Sequence, residues 1–196
     1  MKRIRLGILL AAVVAMAGCA HPMTIKPDIA GLGVPAGATV IPKNVGLYIS
    51  PENRAKEVTT AGGGGDKVSY HPYDDLQTGL YKVFGNAFQN VDLLASMSDV
   101  GSISKHSLTL IATPEITTTS SSSGVFTWMA TDFTVELSCK FTDVAGREIT
   151  TIKSTGTGHA VFNELKSDFS VAGERASRDA LEKFQAAVLQ SEELRK

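Results

Sequence analysis

Residues 129–161 read MATDFTVELSCKFTDVAGREITTIKSTGTGHAV and contain the clearest strand pattern in the chain. Apolar and polar residues alternate along residues 133–142, which indicates a strand with one buried face and one exposed face. The segment Asp143–Gly146 has the composition of a tight turn, because its glycine can adopt a positive φ. Residues 147–161 are therefore expected to return antiparallel and to complete a β-hairpin.

Two further segments have the apolar spacing of amphipathic helices. Residues 72–89 begin with Pro72, which the first helical turn tolerates, and Asp74 and Asp75 follow near the positive end of the helix dipole. Consecutive helix residues point in different directions, so the two acids are interpreted as capping and solvating charges rather than as a catalytic pair. Residues 170–192 carry the second apolar stripe. The stripes consist of Leu76, Leu80, Val83, Phe84, Ala87 and Phe88 in the first helix and of Ala180, Leu181, Phe184, Ala187 and Val188 in the second.

Other strands are expected earlier in the chain. Residues 44–50 (NVGLYIS) and 107–117 (SLTLIATPEIT) alternate apolar and polar side chains, as half-buried strands do. Residues 57–60 and 67–70 flank a run of four glycines, which is typical of a flexible loop or of the tip of a loose hairpin. The run TTTSSSSG at 117–124 is small and polar, which indicates a loop or a crossing from one strand to the next.

The resulting order of elements is β-α-(β)-β-β-β-α. Two amphipathic helices on one face of a mostly antiparallel sheet would give every apolar stripe a partner. The expected fold class is therefore α+β, with a two-layer sandwich, and a domain of about 150 residues is long enough to bury a normal core.

The first nineteen residues have the composition of a bacterial targeting segment. Three basic residues precede the apolar run LGILLAAVVAM at 6–16, which is shorter than the roughly 20 residues of a transmembrane helix. The following sequence, Met16-Ala17-Gly18-Cys19, resembles a bacterial lipobox, in which small residues admit a peptidase and the cysteine takes a lipid. The resemblance implies a signal peptide at 1–18 and lipidation of Cys19. The alternative is a non-lipidated signal peptide with an incidental cysteine.

The lipobox resemblance also implies a location. Two or three acyl chains would anchor the chain stably without spanning the bilayer. In Gram-negative lipoproteins, an Asp after the lipidated cysteine resembles an inner-membrane retention signal, whereas here Ala20 follows Cys19. This favours the outer membrane, with the protein facing the periplasm. Residues 19–43 are rich in proline and glycine and are predicted to be a tether, and residues 44–196 are predicted to form a single domain.

The lipobox, the proline-rich segment and the order of elements together resemble small Gram-negative envelope lipoproteins. These include the YajG-type group and the accessory lipoproteins of lipopolysaccharide, exopolysaccharide or curli export. In the globular part the resemblance is one of architecture alone. It therefore implies lipid attachment at Cys19 and identifies no other site residue.

The composition argues against several classes of protein. The 19 basic and 20 acidic residues nearly balance, so no basic surface is expected for a nucleic-acid partner. The four histidines are far apart, and neither an HExxH nor a CxxC motif is present, so no metal site is expected. A GxSxG elbow and a phosphate-binding loop are also missing, and the GTGH at 156–159 lacks the third glycine of a dinucleotide motif. We therefore expect no cofactor and no enzymatic activity.

Two aromatic residues and one cysteine remain as candidates. Phe126 and Trp128 lie between the Ser-rich run and the clean strand, where an aromatic patch could contact a partner or a ligand. The alternative is that Trp128 covers the end of the sheet. Cys139 has apolar neighbours and would have no intrachain partner once Cys19 is lipidated, so it is expected to be a buried free thiol. An intermolecular disulfide is the alternative.

Together these features predict a non-enzymatic outer-membrane lipoprotein that acts by binding. Its expected partners are the membrane, through the lipid on Cys19, and an envelope protein whose assembly or export it assists. Formation of a homo-oligomer is left open. The alternative function is a periplasmic module that binds glycan or lipid near Trp128.

Overall fold

The computed structural model of the chain describes residues 20–63, 66–122 and 129–196. From the amino end to the carboxyl end, its strands and helices are β1 (Ala20–Pro22), β2 (Ile41–Tyr48), α1 (Pro51–Ala55), β3 (Val58–Ala61), β4 (Lys67–Tyr70), α2 (Pro72–Ala87), β5 (Phe88–Leu94), α3 (Val100–Lys105), β6 (Leu110–Ser121), β7 (Asp132–Asp143), β8 (Glu148–His159), α4 (Phe162–Leu165) and α5 (Val171–Gln190). A short 3₁₀ turn, Glu193–Arg195, comes after α5.

The larger sheet has the strand order β5-β2-β6-β7-β8. Strand β2 pairs in parallel with β5 and β6, whereas β6, β7 and β8 pair antiparallel over long ladders. The turn from β7 to β8 contains Gly146 at φ +84°, and Asp143 accepts hydrogen bonds from two amides of the turn. The predicted β7–β8 hairpin and the α+β sandwich are therefore confirmed.

Helices α2 and α5 both lie on one face of this sheet. The apolar side of α2 faces the sheet and includes Leu80 and Phe84, which are fully buried. The centre of the Phe84 ring lies 6.0 Å from the centre of the Phe141 ring on β7. Helix α5 packs on β8 so closely that a Cβ at Gly156 or Gly158 would overlap the helix backbone. Glycine at these two positions therefore permits the contact between helix and sheet.

Side chains of α5 also cover part of the outer edge of β8. Asp179 accepts a hydrogen bond from the Thr157 amide at 2.9 Å. Arg175 and Lys183 donate hydrogen bonds to β8 carbonyl groups at 2.7 and 3.1 Å. Because an unpaired strand edge invites another chain to pair with it, these bonds protect one end of β8.

The smaller sheet has the order β1-β4-β3, and β3 and β4 form the hairpin predicted around the glycine run. This sheet contacts the far end of β6. The Ser120 hydroxyl donates to the carbonyl of Ala61, and the hydroxyls of Tyr70 and Thr118 are hydrogen-bonded at 2.6 Å. The two sheets are thereby joined at the end of β6 that leads into residues 122–131.

The described part of the segment predicted as a tether, residues 20–43, packs against the domain. Ile25 and Leu32 are buried in the main core. The Ile25 amide donates to the carboxylate of Asp75 at 2.9 Å, and the Asn86 side chain donates to the Leu32 carbonyl at 3.0 Å. Proline and glycine prevent regular structure, but an irregular segment can still dock when its polar backbone groups find partners. The described part of this segment is therefore docked on the domain, whereas its composition predicted a tether.

Three element boundaries also differ from the predictions. Strand β2 begins at Ile41, upstream of the expected start at residue 44. Strand β6 continues to Ser121 through most of the run that was predicted as a loop. Strand β5 follows α2 directly, whereas the predicted helix continued to residue 89. The predicted helix at 170–192 is confirmed as α5, which ends at Gln190.

Among the described residues, no helix is both long and apolar enough to cross a membrane.

Candidate functional site

The three residues predicted for lipidation and partner contact, Cys19, Phe126 and Trp128, lie outside the described residues. Their sequence neighbours are described, and these meet at one end of the molecule. Ala20 follows Cys19 directly, and residues 122 and 129 flank the segment that contains both aromatic residues. The sequence did not indicate that these two parts of the chain would be close together.

A continuous series of strand contacts joins the two parts. In the small sheet, Ala20 pairs with Lys67, and Lys67 pairs with Ala61. Ala61 accepts the hydrogen bond from Ser120, and the neighbouring Ser121 pairs with β7 where that strand begins. We call this end of the molecule the proximal end. It is defined by Ala20, Lys67, Ser121, Asp132 and His159.

Three exposed apolar side chains lie beside the proximal end. Strand β8 ends at His159, and the next turns of chain expose Val161 by 53%, Phe162 by 45% and Phe169 by 39%. The Lys166 ammonium lies 4.9 Å from the centre of the Phe162 ring. Sequence reasoning missed this group, because Val161 was interpreted as the end of a strand.

Hydrogen bonds fasten α4, which carries Phe162, to the rest of the fold. The Glu164 carboxylate accepts a hydrogen bond from the Val161 amide and two from the Arg175 guanidinium of α5. The Arg175 side chain, followed by the Val161 amide, lowers the pKa of Glu164 to about 2. The carboxylate therefore stays ionised near neutral pH and holds α4 against α5.

One acid–base pair lies at the proximal end. Asp132 and His159 are cross-strand neighbours, and the Asp132 carboxylate lies 2.8 Å from Nδ1 of His159. The Thr131 hydroxyl, and then the histidine, lower the pKa of Asp132. Both side chains are partly exposed, and in the described part of the chain no hydroxyl or thiol bonds to His159. The arrangement therefore lacks an activated nucleophile among the described groups.

The second candidate surface is the face of β6–β8 opposite α2 and α5, which we call the open face. Its rows follow the strand register, with side chains from β6, β7 and β8 side by side. From the proximal end toward the β7–β8 turn, the rows are Thr119, Thr134 and Thr157; Thr117, Glu136 and Thr155; Glu115, Ser138 and Lys153; and Thr113, Lys140 and Thr151. The last row, Ile111, Thr142 and Glu148, is partly covered, because Ile111 packs against Leu94 and Leu108.

Four charged side chains on the open face have no partners within the described part of the chain. Glu115, Glu136, Lys140 and Lys153 form none of the ion pairs or hydrogen bonds found among described residues. All four are exposed. By contrast, five of the six charged residues of α5 form ion pairs, such as Lys183 with Asp179 at 2.7 Å.

Two buried hydroxyl groups on this face also lack a hydrogen-bond partner among the described residues. Three buried side-chain oxygens of described residues have no hydrogen-bond partner, and two of them belong to Thr113 and Thr142. Thr113 lines a recess of about 310 Å³ together with Lys140 and Met97. Because buried polar groups are nearly always hydrogen-bonded, a polar ligand group that displaced the side chains over this hydroxyl would gain a bond at the floor of the recess.

Cys139 lies on the covered face of β7, with no exposed surface and without a disulfide partner among the described residues. Burial raises the pKa of its thiol far above the ordinary value, so the unreactive thiol form dominates at neutral pH. No group of three or more metal-ligating side chains occurs within residues 20–63, 66–122 and 129–196.

No family model matches the chain, and no curated protein matches it. Among solved structures, the crystal structure of protein XCC0632 from Xanthomonas campestris, described as family model DUF330, is similar. The similarity covers 87% of this chain and 90% of that chain at 11% sequence identity, with a TM-score of 0.47.

Proposed function

We propose that this chain is an outer-membrane lipoprotein that binds another envelope component through the open face. In this proposal, residues 1–18 are a signal peptide, Cys19 carries the acyl chains, and the domain faces the periplasm. The partner is an envelope protein whose assembly or export the chain assists. Residues 1–19 supply the lipobox pattern, and the open face supplies the surface for binding.

The observation that carries the binding role is the set of unsatisfied polar groups on the open face. Four exposed charges are unpaired there, and the buried Thr113 hydroxyl lacks a partner among described residues. A partner with complementary charges would pair with Glu115, Glu136, Lys140 and Lys153. Such complementary charges increase the association rate and select the correct partner.

A non-enzymatic role is part of the same proposal. It is supported by the arrangement at the Asp132–His159 pair, where the described residues place no nucleophile against the imidazole. It is also supported by the burial of Cys139, whose raised pKa disfavours the reactive thiolate.

Site-specific photocrosslinking in the source bacterium tests the proposal. A photoreactive amino acid at Lys153 would lie on the open face, and the same group at Lys82 would lie on the exposed side of α2 as the control. We expect Lys153 to capture one defined envelope protein and Lys82 to capture none. The charge reversal of the neighbouring residue, Lys140→Glu, should weaken the capture severalfold because the partner's charges would then be repelled.

Changing the anchor separates localisation from binding. The Cys19→Ala variant should lose acyl mass and lose the captured partner, because the chain would no longer reside at the outer membrane. Equal adducts from Lys153 and Lys82 would contradict binding through the open face. An adduct with the mass of a glycan or a lipid would instead support the alternative function of a ligand-binding module.

A further inference from the structure

The described chain begins one peptide bond after Cys19. Ala20 is part of β1, which pairs in parallel with β4, and Met23 continues the docking by donating its amide to the Ser69 carbonyl at 2.9 Å. Successive Cα atoms are about 3.8 Å apart, so an acyl group on Cys19 would be attached within a few ångströms of the small sheet. The docked segment leaves no free tether between Cys19 and the domain.

The apolar group beside the proximal end lies close to this point. Met23 and Ile25 pack against Gly173 in the first turn of α5, and Phe169 precedes that turn by two residues. Val161 follows β8, whose last residue pairs with the start of β7. The start of the docked segment and the exposed apolar residues therefore share one end of the fold.

From this geometry we propose that the proximal end is a bilayer-facing surface, seated on the lipid by Val161, Phe162 and Phe169. This inference rests on the proposed lipidation of Cys19. The short connection would hold the domain directly against the membrane in one orientation. Exposed aromatic and aliphatic side chains at the interface would then enter the boundary between headgroups and acyl chains.

Charges at this end suit contact with a neutral lipid surface. Lys166 lies against the Phe162 ring and can extend its ammonium toward the headgroups, as lysine does at membrane interfaces. Asp132 and Asp168 are also at this end, so it is not a basic patch. Contact should therefore depend on the apolar residues and only weakly on anionic lipid.

The orientation places the open face at a defined height. Strand β7 starts at the proximal end and runs for 12 residues to the β7–β8 turn. At about 3.3 Å per residue, the turn would lie about 40 Å from the membrane. The open face would then stand upright beside the bilayer, where a periplasmic partner could approach it from the side.

The experiment measures depth with fluorescent labels on the acylated protein in phosphatidylcholine vesicles that carry doxyl quenchers. Single cysteines would replace Ser167 near Phe169, Lys153 midway along β8 and Ala145 in the β7–β8 turn, all of which are exposed. Cys139 is buried and should not react with the label. We expect quenching to be strongest at Ser167, weaker at Lys153 and lowest at Ala145.

Two matched variants test the apolar residues themselves. The double variant Phe162→Ser/Phe169→Ser should reduce the quenching at Ser167 severalfold while the acyl mass is retained. The variant Val144→Ser, which removes an exposed apolar side chain at the opposite end, should leave it unchanged. Adding anionic phosphatidylglycerol should change the profile little.

The possible failures are distinguishable. If mass spectrometry of the purified protein shows no acyl chains on Cys19, the proposed lipoprotein function fails, and the bilayer-facing surface fails with it. If the acyl mass is present but the three labels are quenched equally, the proposed orientation of the domain on the membrane is overturned, and the proposed lipoprotein function is not. If the Phe162→Ser/Phe169→Ser variant is quenched like the parent, the apolar residues do not contact lipid and the proposed surface is overturned.

Discussion

On the covered face of β6–β8, apolar side chains such as Phe133 and Phe141 are at most 2% exposed, and two glycines admit the backbone of α5. On the open face of the same strands, four charged side chains, such as Lys140 and Lys153, lie in water without partners among the described residues. Consecutive residues of one strand are thus buried and exposed in turn. Burial on one side stabilises the fold by about 1.5 to 3 kcal/mol for each large apolar side chain, whereas the other side contributes little to stability.

The difference separates residues that maintain the fold from residues that are free to serve a partner. A covered-face substitution changes packing and leaves a cavity or an overlap. An open-face substitution touches few neighbours in the free protein, so its main effect should be on binding. Measurements of stability and of partner capture should therefore respond to different faces.

The largest contrast is expected between two consecutive residues of β7. Phe141→Ala should lower the free energy of unfolding by about 4 kcal/mol, because the ring is fully buried against Phe84 and Phe88 and its removal leaves a cavity. Lys140→Ala, on the open face, should change it by less than about 0.5 kcal/mol. Urea unfolding of both variants measures the difference. Similar losses of unfolding free energy in the two variants would contradict the distinction between the faces.

The next effect concerns the contact between α5 and β8. Gly158→Val should cost about 3 kcal/mol, because its Cβ would overlap the carbonyl oxygen of Ala172 and the helix backbone would have to move. Gly33→Ala is the matched control, since a Cβ there meets no atom within 4 Å. Thermal unfolding of both variants tests this. An unchanged midpoint for Gly158→Val would show that α5 can shift at no cost.

The covered face was predictable from the sequence because its pattern is local. The alternation along β7 and the helical spacing in α2 and α5 each arise because one side of that strand or helix is buried, and each can be recognised within the element itself. The open end of β6 was not predictable, because its threonines and serines became a strand only through partners distant in sequence. Thr118 bonds to Tyr70, and Ser120 bonds to Thr60 and Ala61. Tertiary contacts override the weak local preference of such a run.

The candidate site was less predictable than the fold. The sequence indicated Cys19 through a local motif, and its lipidation stays a prediction. Nothing in it showed that Ala20 would pair with Lys67, because docking of a proline-rich segment depends on distant side chains such as Asp75 and Asn86. It also could not show that the charges of the open face lack partners, since pairing depends on which element covers which face.

A smaller effect is expected where α5 protects the edge of β8. Asp179→Ala should cost about 1.5 kcal/mol, because the Thr157 amide loses a charged acceptor. Glu182→Ala, on the same helix, removes an exposed ion pair with Arg178 and should cost no more than about 0.5 kcal/mol. Hydrogen exchange at the Thr157 amide should accelerate only in the first variant. Equal exchange in the two would indicate that the edge has other protection.

The smallest effect compares two threonines on opposite faces of β6. Thr118→Val should cost about 1 kcal/mol, because the Tyr70 hydroxyl loses its shortest hydrogen bond. Thr113→Val should leave the free energy of unfolding unchanged or raise it slightly, because its buried hydroxyl has no described partner to lose. The same Thr113→Val variant should nevertheless weaken partner capture at Lys153, since a partner that displaces the side chains over this hydroxyl would lose its bond to it. If Thr113→Val destabilises the free protein as much as Thr118→Val does, the Thr113 hydroxyl already has a hydrogen-bond partner. The main observation that supports binding through the open face would then be contradicted.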